Sequence, residues 1–191
     1  MYLVAGLGNP GREFENTRHN LGFRVADDVA KRLGVPELKF KTKCNALVGE
    51  ANIVGHKVII AEPQTFMNLS GQAVQALLSW YKIPTDHLIV IHDDVDIEAG
   101  EIRVKQGGGA AGHHGLESII ASIGSQEFIR VRVGIGREGS GDVTEYVLQM
   151  IPKEQADILN HSMIDAADAV VSVISDGIEA AKNKFNGRSR S

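Results

Sequence analysis

The chain has 191 residues, of which 43% are hydrophobic and 23% are charged, and its formal net charge is -4 at pH 7. A chain of this length and composition folds as about one domain around one core, which excludes a wholly disordered protein. The negative net charge argues against a protein that coats nucleic acid with its whole surface, but it leaves room for a local basic patch.

The sequence also constrains the compartment. No segment is long and apolar enough to span a bilayer, and the N-terminus lacks the basic start of a signal peptide. We therefore expect a cytoplasmic protein without membrane contact. Cys44 is the one cysteine, so an internal disulfide and a multi-thiolate metal site are excluded.

Apolar spacing and turn residues predict strands that alternate with helices. The first half is expected to contain, in order, a strand at residues 2–7, a helix at 21–33 with Asn20 as its N-cap, antiparallel strands at 46–53 and 58–62, and a helix at 70–81 capped by Ser70. The second half is expected to contain strands at 88–92, 102–106 and 128–135, a helix at 115–123, and a helical stretch that Pro152 opens and that reaches about Lys184.

This order of elements predicts the fold class, which is α/β: a single-domain three-layer sandwich with a mixed, mostly parallel twisted sheet flanked by helices. The continuous apolar run at 88–92 is typical of a central strand covered on both faces. We expect one catalytic domain at residues 1–185 and a disordered tail at 186–191.

A glycine-rich turn follows the first predicted strand. Gly6, Gly8 and Gly11 have the spacing of a dinucleotide-binding turn. In that fold the third glycine opens a helix, whereas here residues 12–19 intervene before the predicted helix and Pro10 occupies the turn. A tight turn that needs glycine dihedrals therefore explains these residues better than a bound dinucleotide does.

A histidine and a carboxylate follow two of the predicted strands. His19 comes shortly after the glycine-rich turn, and Asp93 ends the run at 88–92. A histidine with its ordinary pKa of ~6.5 exchanges protons near neutral pH, and a carboxylate can hold its ring. Asn9 can donate and accept hydrogen bonds at the edge where open α/β sheets bind ligands. The three residues predict a general-base site.

The alternative for this region is a metal site made from histidines and an acid. Its candidate ligands are His92, Asp93, His113 and His114. These residues have no standard ligand spacing, so the metal site ranks below the general-base site. A bound dinucleotide is also disfavoured by the glycine-rich turn, and we expect no cofactor.

Five ordered blocks of the sequence resemble bacterial peptidyl-tRNA hydrolase, from about residue 3 to beyond residue 180. The blocks are Gly8-Asn9-Pro10-Gly11, Thr17-Arg18-His19-Asn20, residues 65–71, His92-Asp93 and Gly112-His113. The resemblance implies the same fold and a metal-independent enzyme that cleaves the ester between a peptide's C-terminal carbonyl and the 3′-terminal ribose of tRNA. It also implies tRNA as the partner and a monomeric state.

The resemblance further implies roles for individual residues. Catalysis falls to His19 as the base, Asp93 as its orienting carboxylate, and Asn9 and Asn68 as groups that stabilise or position the substrate. Met67 would form the pocket wall, and the basic residues would hold the acceptor end of tRNA. The expected substrate- and tRNA-binding set is Phe14, Phe66, Met67, His113, His114, Arg103, Lys105 and Arg132.

The sequence departs from the family pattern at two of these positions. Phe14 stands where tyrosine is common, and His114 stands where the family usually has asparagine. The second departure puts one water- and substrate-positioning contact in question. Two other functions remain open from the sequence: an RNA-binding module of the same fold that does not hydrolyse its ligand, and a nucleotide-dependent oxidoreductase.

Overall fold

A computed structural model of the chain describes residues 1–137 and 139–188. The strands are β1 (Tyr2–Gly6), β2 (Lys39–Lys41), β3 (Ala46–Ile53), β4 (His56–Pro63), β5 (Leu88–Asp94), β6 (Ile102–Gln106) and β7 (Ile129–Gly134). The helices are α1 (Leu21–Arg32), α2 (Ser70–Tyr81), α3 (His114–Ile123), α4 (Val143–Leu148), α5 (Lys153–Asp176) and α6 (Ile178–Phe185).

The seven strands form one mixed sheet in the order β2-β3-β4-β1-β5-β7-β6. Strands β4, β1, β5 and β7 run parallel, so their carboxyl ends share one edge. The predicted antiparallel pair is confirmed, with Val48 of β3 opposite Ala61 of β4. Strand β6 pairs antiparallel with β7 at the other side of the sheet.

Helices cover both faces of the sheet, which confirms the predicted three-layer α/β fold. Successive residues of a strand face opposite sides, so Leu3 and Val4 of β1 belong to different cores. Val4 packs in a cluster that includes Val29 of α1 and Val170 of α5. Leu3 packs in a second cluster that includes Leu77 of α2 and Ile119 of α3, where α2 and α3 cover the opposite face. The central strands are apolar on both faces because both faces are buried.

Helix α1 lies directly on the strand backbone at the carboxyl edge. A side chain at Gly22 would place its Cβ 2.5 Å from both the Leu7 nitrogen and the Ile91 oxygen, and one at Gly6 would lie 2.2 Å from the Gly22 oxygen. Glycine is therefore required for this close approach. The contact sets the short 3-10 turn at Arg18–Asn20, which precedes α1, against the ends of β1 and β5.

Two side chains that were predicted to cap helices form hydrogen bonds with the preceding loops instead. Asn20 makes no side-chain cap on α1, because its side chain accepts from the Asn9 N–H and donates to the Asn9 carbonyl, both at 2.9 Å. Ser70 is the first residue of α2, and its hydroxyl donates to the Met67 carbonyl at 2.8 Å. Both side chains therefore hold the loops that precede their helices.

The C-terminal part also differs from the sequence-based expectation. Helix α4 was not predicted, and the helical stretch after Pro152 is broken at Gly177, where φ is 92°. The Asn186 side chain accepts a hydrogen bond from the Val104 N–H at 2.7 Å and donates one to the Val104 carbonyl at 3.0 Å. The ordered chain therefore extends beyond residue 185. Residues 189–191 of the predicted tail lie outside the described residues. Within the described part of the chain, no helix is both long and apolar enough to cross a membrane.

A buried acid lies between the sheet and α1. Glu62 of β4 is 5% exposed, and its Oε1 has no hydrogen-bond partner among the described residues. Burial first, and then the charge and hydrogen bond of Asp27 on α1, raise the pKa of Glu62 to about 9. The folded protein therefore keeps a proton on Glu62 at neutral pH, whereas an unfolded chain loses it near the ordinary value of 4.5.

We expect the Glu62→Gln variant to gain stability relative to the parent as pH rises. Between pH 4.5 and about pH 9, the folded parent binds one more proton at Glu62 than the unfolded chain does. The free energy of unfolding of the parent therefore falls as pH rises through this window. One such proton changes the free energy of unfolding by at most about 1.4 kcal/mol per pH unit. Urea unfolding midpoints across this window measure the difference, and Glu154→Gln on the exposed face of α5 is the control. Parallel pH dependences for parent and Glu62→Gln would contradict the assignment.

Candidate active site

The carboxyl edge of the sheet holds a cavity of about 330 Å³ between the ends of β1 and β5. The polar residues named below come from five segments: the loop after β1, the turn before α1, the turn before α2, the end of β5 and the start of α3. The polar residues that line it include Asn9, His19, Asn68, His92, Asp93, His113 and His114. Met67 and the residues Val143, Val147 and Leu148 of α4 add an apolar wall.

His19 and Asp93 form a buried pair at the base of this cavity. The His19 Nδ1 lies 2.9 Å from both carboxylate oxygens of Asp93, and the two residues are 7% and 2% exposed. Burial lowers the pKa of His19, but the charge and hydrogen bond of Asp93 outweigh burial and raise it above 6.5. Burial acts to raise the pKa of Asp93, but His19 first and then His113 hold it well below its usual range.

Hydrogen bonds fix the tautomers of both histidines that contact Asp93. His19 donates from Nδ1 to the carboxylate, so its Nε2 carries the lone pair when the ring is neutral. His113 is the N-cap of α3, and its Nδ1 accepts from the Gly115 and Leu116 N–H groups at 3.1 and 3.3 Å. The His113 proton is therefore on Nε2, which donates to Asp93 Oδ1 at 3.1 Å.

His92 is a neutral structural group beside this pair. Its Nδ1 lies 2.8 Å from the Asp93 carbonyl oxygen and donates to it. Burial and the neighbouring His113 lower the pKa of His92 to about 3. The bond fixes the backbone at Asp93, so the carboxylate enters the cavity from a rigid position.

Asn9 offers a side-chain donor to the cavity. Its backbone is held by Asn20, and its Oδ1 accepts from the Met67 N–H at 2.8 Å. Because the oxygen is occupied, the Nδ2 group is what Asn9 can present to a ligand. Asn68 follows in the short 3-10 turn Met67–Leu69 and is exposed at the cavity, whereas Met67 is 4% exposed in its wall.

The structure does not bring every predicted binding residue into this cavity. The residues outside its lining are Phe14, Phe66, Arg103, Lys105 and Arg132. Phe66 is 57% exposed on the loop after β4, and Phe14 is partly exposed in a turn between Gly11 and Glu15. These five residues are accessible to a ligand larger than the cavity, as a tRNA would be.

The basic residues of β6 and β7 lie side by side. Arg103 is opposite Arg132 in the strand register, and Lys105 lies two residues beyond Arg103 on the same face. Arg132 is paired with Asp94 at 2.9 Å, and Arg103 is paired with Glu101 at 2.7 Å. Lys105 is exposed and has no acid partner within the described part of the chain, so its charge is the most available of the three.

His114 lies at the rim of the cavity and does not contact Asp93. It begins α3, its side chain is 58% exposed, and its Nδ1 is 3.2 Å from Glu117 Oε2 one turn later. The adjacent His113 reaches the carboxylate instead. Of the two neighbouring histidines, the structure therefore connects His113, and not His114, to the His19–Asp93 pair.

Arg18 was missed by the sequence analysis. This residue is 1% exposed, and its guanidinium stacks 4.0 Å from the centre of the Tyr146 ring in α4. It also donates to the Tyr146 carbonyl at 3.2 Å and to Gln155 at 3.1 Å. Arg18 thus ties the turn that carries His19 to the helix that forms the apolar wall. The only sequence signal was an arginine beside the candidate base, which by itself predicts a surface residue.

Arg130 of β7 holds the glycine-rich loop at residues 107–112, a second contact that the sequence analysis missed. Its guanidinium donates to the carbonyls of Gly108 and Gly109. The loop supplies Ala110, Ala111 and Gly112 to the cavity rim. Gly107, Gly108 and Gly112 have positive φ, so this conformation needs glycine.

The site also bears on the two alternatives from the sequence. Gly11 leads into a single 3-10 turn and not into α1, which begins ten residues later at Leu21, so the glycine-rich turn does not open the helix that a dinucleotide-binding turn would open. The facing atoms of His19, Asp93 and His113 lie within 4.8 Å of one another, close enough to surround a small cation. In the hydrogen-bonded arrangement both imidazoles direct an N–H at the carboxylate, so Asp93 is their common acceptor.

The three-layer fold and the polar cavity at the carboxyl edge of its sheet define an α/β protein with a ligand site at the strand ends. Comparison with known proteins gives the family: a profile of peptidyl-tRNA hydrolase matches residues 3–191, and the chain belongs to the peptidyl-tRNA hydrolase family.

Individual relatives match over nearly their whole length. The peptidyl-tRNA hydrolase of Thermoanaerobacter sp. strain X514 is 49% identical over 189 residues, which cover 98% of this chain and 100% of the relative. That of Carboxydothermus hydrogenoformans is 47% identical over 186 residues, covering 97% and 98%. The crystal structure of peptidyl-tRNA hydrolase from Acinetobacter baumannii superimposes with a TM-score of 0.92 at 36% identity, covering 99% of this chain and 96% of that one.

We expect His114→Asn to leave the pH profile of substrate turnover nearly unchanged. The imidazole is exposed and pairs with Glu117 and not with the His19–Asp93 pair, and a surface pair of this kind is worth about 1 kcal/mol of stability or less. Turnover measured from acid to alkaline pH tests this expectation, with Glu117→Gln as the matched control that removes the other partner. A selective gain of His114→Asn in acid would instead place His114 among the groups that position the substrate.

Proposed function

We propose that this chain hydrolyses the ester between a peptide's C-terminal carbonyl carbon and the 3′-terminal ribose of tRNA, without a metal or other cofactor, and so recycles tRNA from peptidyl-tRNA released during translation. The observation that carries the proposal is the buried His19–Asp93 pair. It leaves one basic ring nitrogen on a residue that lines the cavity, in a chain that belongs to the peptidyl-tRNA hydrolase family.

In the first step His19 Nε2 accepts a proton from water while the water oxygen attacks the ester carbonyl carbon. The imidazolium that forms is stabilised by Asp93, whose carboxylate is held ionised by its two imidazole donors. In the second step the tetrahedral intermediate collapses, and the imidazolium returns its proton to the departing ribose oxygen. The products are a peptide carboxylic acid, which releases its proton to solvent to become the carboxylate, and a tRNA with its terminal hydroxyl restored.

Amide donors would stabilise the negative charge that develops on the carbonyl oxygen. Asn9 presents Nδ2 because its Oδ1 is occupied by Met67, and Asn68 adds a second amide at the cavity. A preorganised donor of this kind contributes about 10²-fold to 10³-fold to a rate. A serine or cysteine nucleophile is not needed, because water attacks the carbonyl directly.

The substrate would extend from the cavity in two directions. The apolar wall of Met67 and α4 suits the side chains of the peptide, since it offers contact area without sequence-specific polar groups. Phe66 is an exposed aromatic ring and Phe14 a partly exposed one, and bases of the single-stranded acceptor end can stack on both. Arg103, Lys105 and Arg132 would contact its phosphates.

Release of free tRNA from purified peptidyl-tRNA tests the function, with aminoacyl-tRNA that has a free amine as the substrate control. His19→Ala should lower turnover by roughly 10²-fold to 10⁴-fold and leave tRNA binding nearly unchanged. Because Asp93 raises the pKa of His19, the acid limb of kcat/KM should lie above pH 6.5, and activity should be lost as pH falls through it. His161→Ala removes an exposed histidine of α5 and is the matched control.

Two results would contradict this assignment. Near-normal turnover of His19→Ala would remove His19 as the base. Tight tRNA binding by the parent protein without any release of peptide would support the alternative of an RNA-binding module of the same fold.

We expect Lys105→Ala to reduce the salt dependence of tRNA binding. Each lost phosphate contact lowers the logarithmic slope by about 0.7 to 0.9, and the unpaired charge of Lys105 is the most available for such a contact. Arg103→Ala and Arg132→Ala should weaken binding further, because each also leaves the carboxylate of Glu101 or Asp94 without its partner. Binding measured at several salt concentrations gives the slope.

The control for this series is Lys57→Ala. Lys57 lies near the start of β4, at the opposite edge of the sheet from the cavity, and its loss changes the net charge equally. Unchanged slopes in all three basic-residue variants would exclude this surface as the phosphate contact.

A further inference from the structure

The Asp93 carboxylate is shared between two imidazoles. His19 contacts both oxygens at 2.9 Å, and His113 donates to Oδ1 at 3.1 Å. The carboxylate is 2% exposed, so these two rings, and not bulk water, compensate its charge. The rings of His19 and His113 lie 5.0 Å apart between their centres.

His113 performs two different tasks with its two ring nitrogens. Nδ1 accepts the first free N–H groups of α3, and Nε2 donates to Asp93. Both nitrogens are therefore engaged within the protein, and neither is available to a substrate. The sequence analysis expected a substrate contact at this position, and the geometry indicates a different role.

We propose that His113 is a positioning residue for the reaction: it fixes Asp93 against His19 and, by taking part of the carboxylate's hydrogen-bonding capacity, sets how strongly Asp93 holds a proton on His19. This inference rests on the proposed function for its kinetic test, but a spectroscopic test of the same residue does not. A carboxylate that accepts hydrogen bonds from two imidazoles stabilises the protonated form of each imidazole less than it would if it accepted from that imidazole alone.

Among the described residues, His19 and His113 are the side chains that donate to Asp93, and the other titratable groups near the pair have different partners. His92 is neutral and is bonded to a backbone oxygen. The remaining groups have partners of their own: Asp94 with Arg132, Asp96 with Arg137, His114 with Glu117, and Arg18 with the carbonyl and ring of Tyr146.

Two substitutions at residue 113 separate the two tasks. In His113→Asn the amide oxygen occupies the place of Nδ1, one bond from Cγ, so the variant keeps the cap but has no group that reaches Asp93. In His113→Gln the amide nitrogen is as many bonds from Cβ as the histidine Nε2, so the variant keeps a donor to Asp93 but loses the cap. His113→Asn thus removes only the donor to Asp93, and His113→Gln removes only the helix cap.

The experiment measures kcat/KM against pH, the titration of the His19 ring by NMR in the protein without substrate, and Tm. For His113→Asn we expect the pKa of His19 and the acid limb of kcat/KM to move to higher pH, with Tm unchanged. Each half-unit of movement changes the relative rate on the acid side by about threefold. For His113→Gln we expect the parent pH profile, with Tm lower by about 2–4 °C because the cap is lost.

The opposite pattern overturns the proposal. If the His19 titration in His113→Asn coincides with that of the parent, His113 does not act on the base through Asp93. If both variants lose activity only in proportion to their loss of Tm, the residue has a structural role alone. A parent protein that releases no tRNA would overturn the proposed function, but the NMR titration would still decide the link between His113 and His19.

Discussion

The need to compensate one buried carboxylate organises the carboxyl edge of this protein. Asp93 lies one residue before the end of the central strand β5, where water has little access, and an ionised carboxylate there is unfavourable unless donors surround it. One donor comes from the turn before α1 and the other from the residue that caps α3. The turn before α1 and the start of α3 are therefore both tied to a single charge, and the cavity lies beside them.

Much of this arrangement could be predicted from the sequence, because strand periodicity and chain order locate the ends of strands. Once β1 and β5 are recognised as buried strands, Asn9 and Asp93 must lie at their carboxyl ends, and parallel pairing brings these ends together. The antiparallel pair β3 and β4 was predicted for a similar local reason, since a tight turn joins two strand-like segments.

Tertiary hydrogen bonds explain the features that could not be predicted. Asn20 has the sequence signature of an N-cap, but the backbone of Asn9 competes for the same side chain and wins. His113 and His114 are indistinguishable as a dipeptide, and only the direction of the first turn of α3 decides which one reaches Asp93. Helix α4 has six residues, too few for its periodicity to stand out, and its Tyr146 is bound by two residues distant in sequence, Arg18 and Ile135.

The contact between Arg18 and Gln155 has a consequence for how the enzyme is made. The site needs Arg18 and His19 from the beginning of the chain, Asp93 and His113 from its middle, and the first turn of α5. Contacts of such sequence separation form late in folding, because the intervening chain must be ordered first. The site as proposed is therefore completed only after the first turn of α5 has been synthesised, when the unfinished chain is still a peptide attached to tRNA.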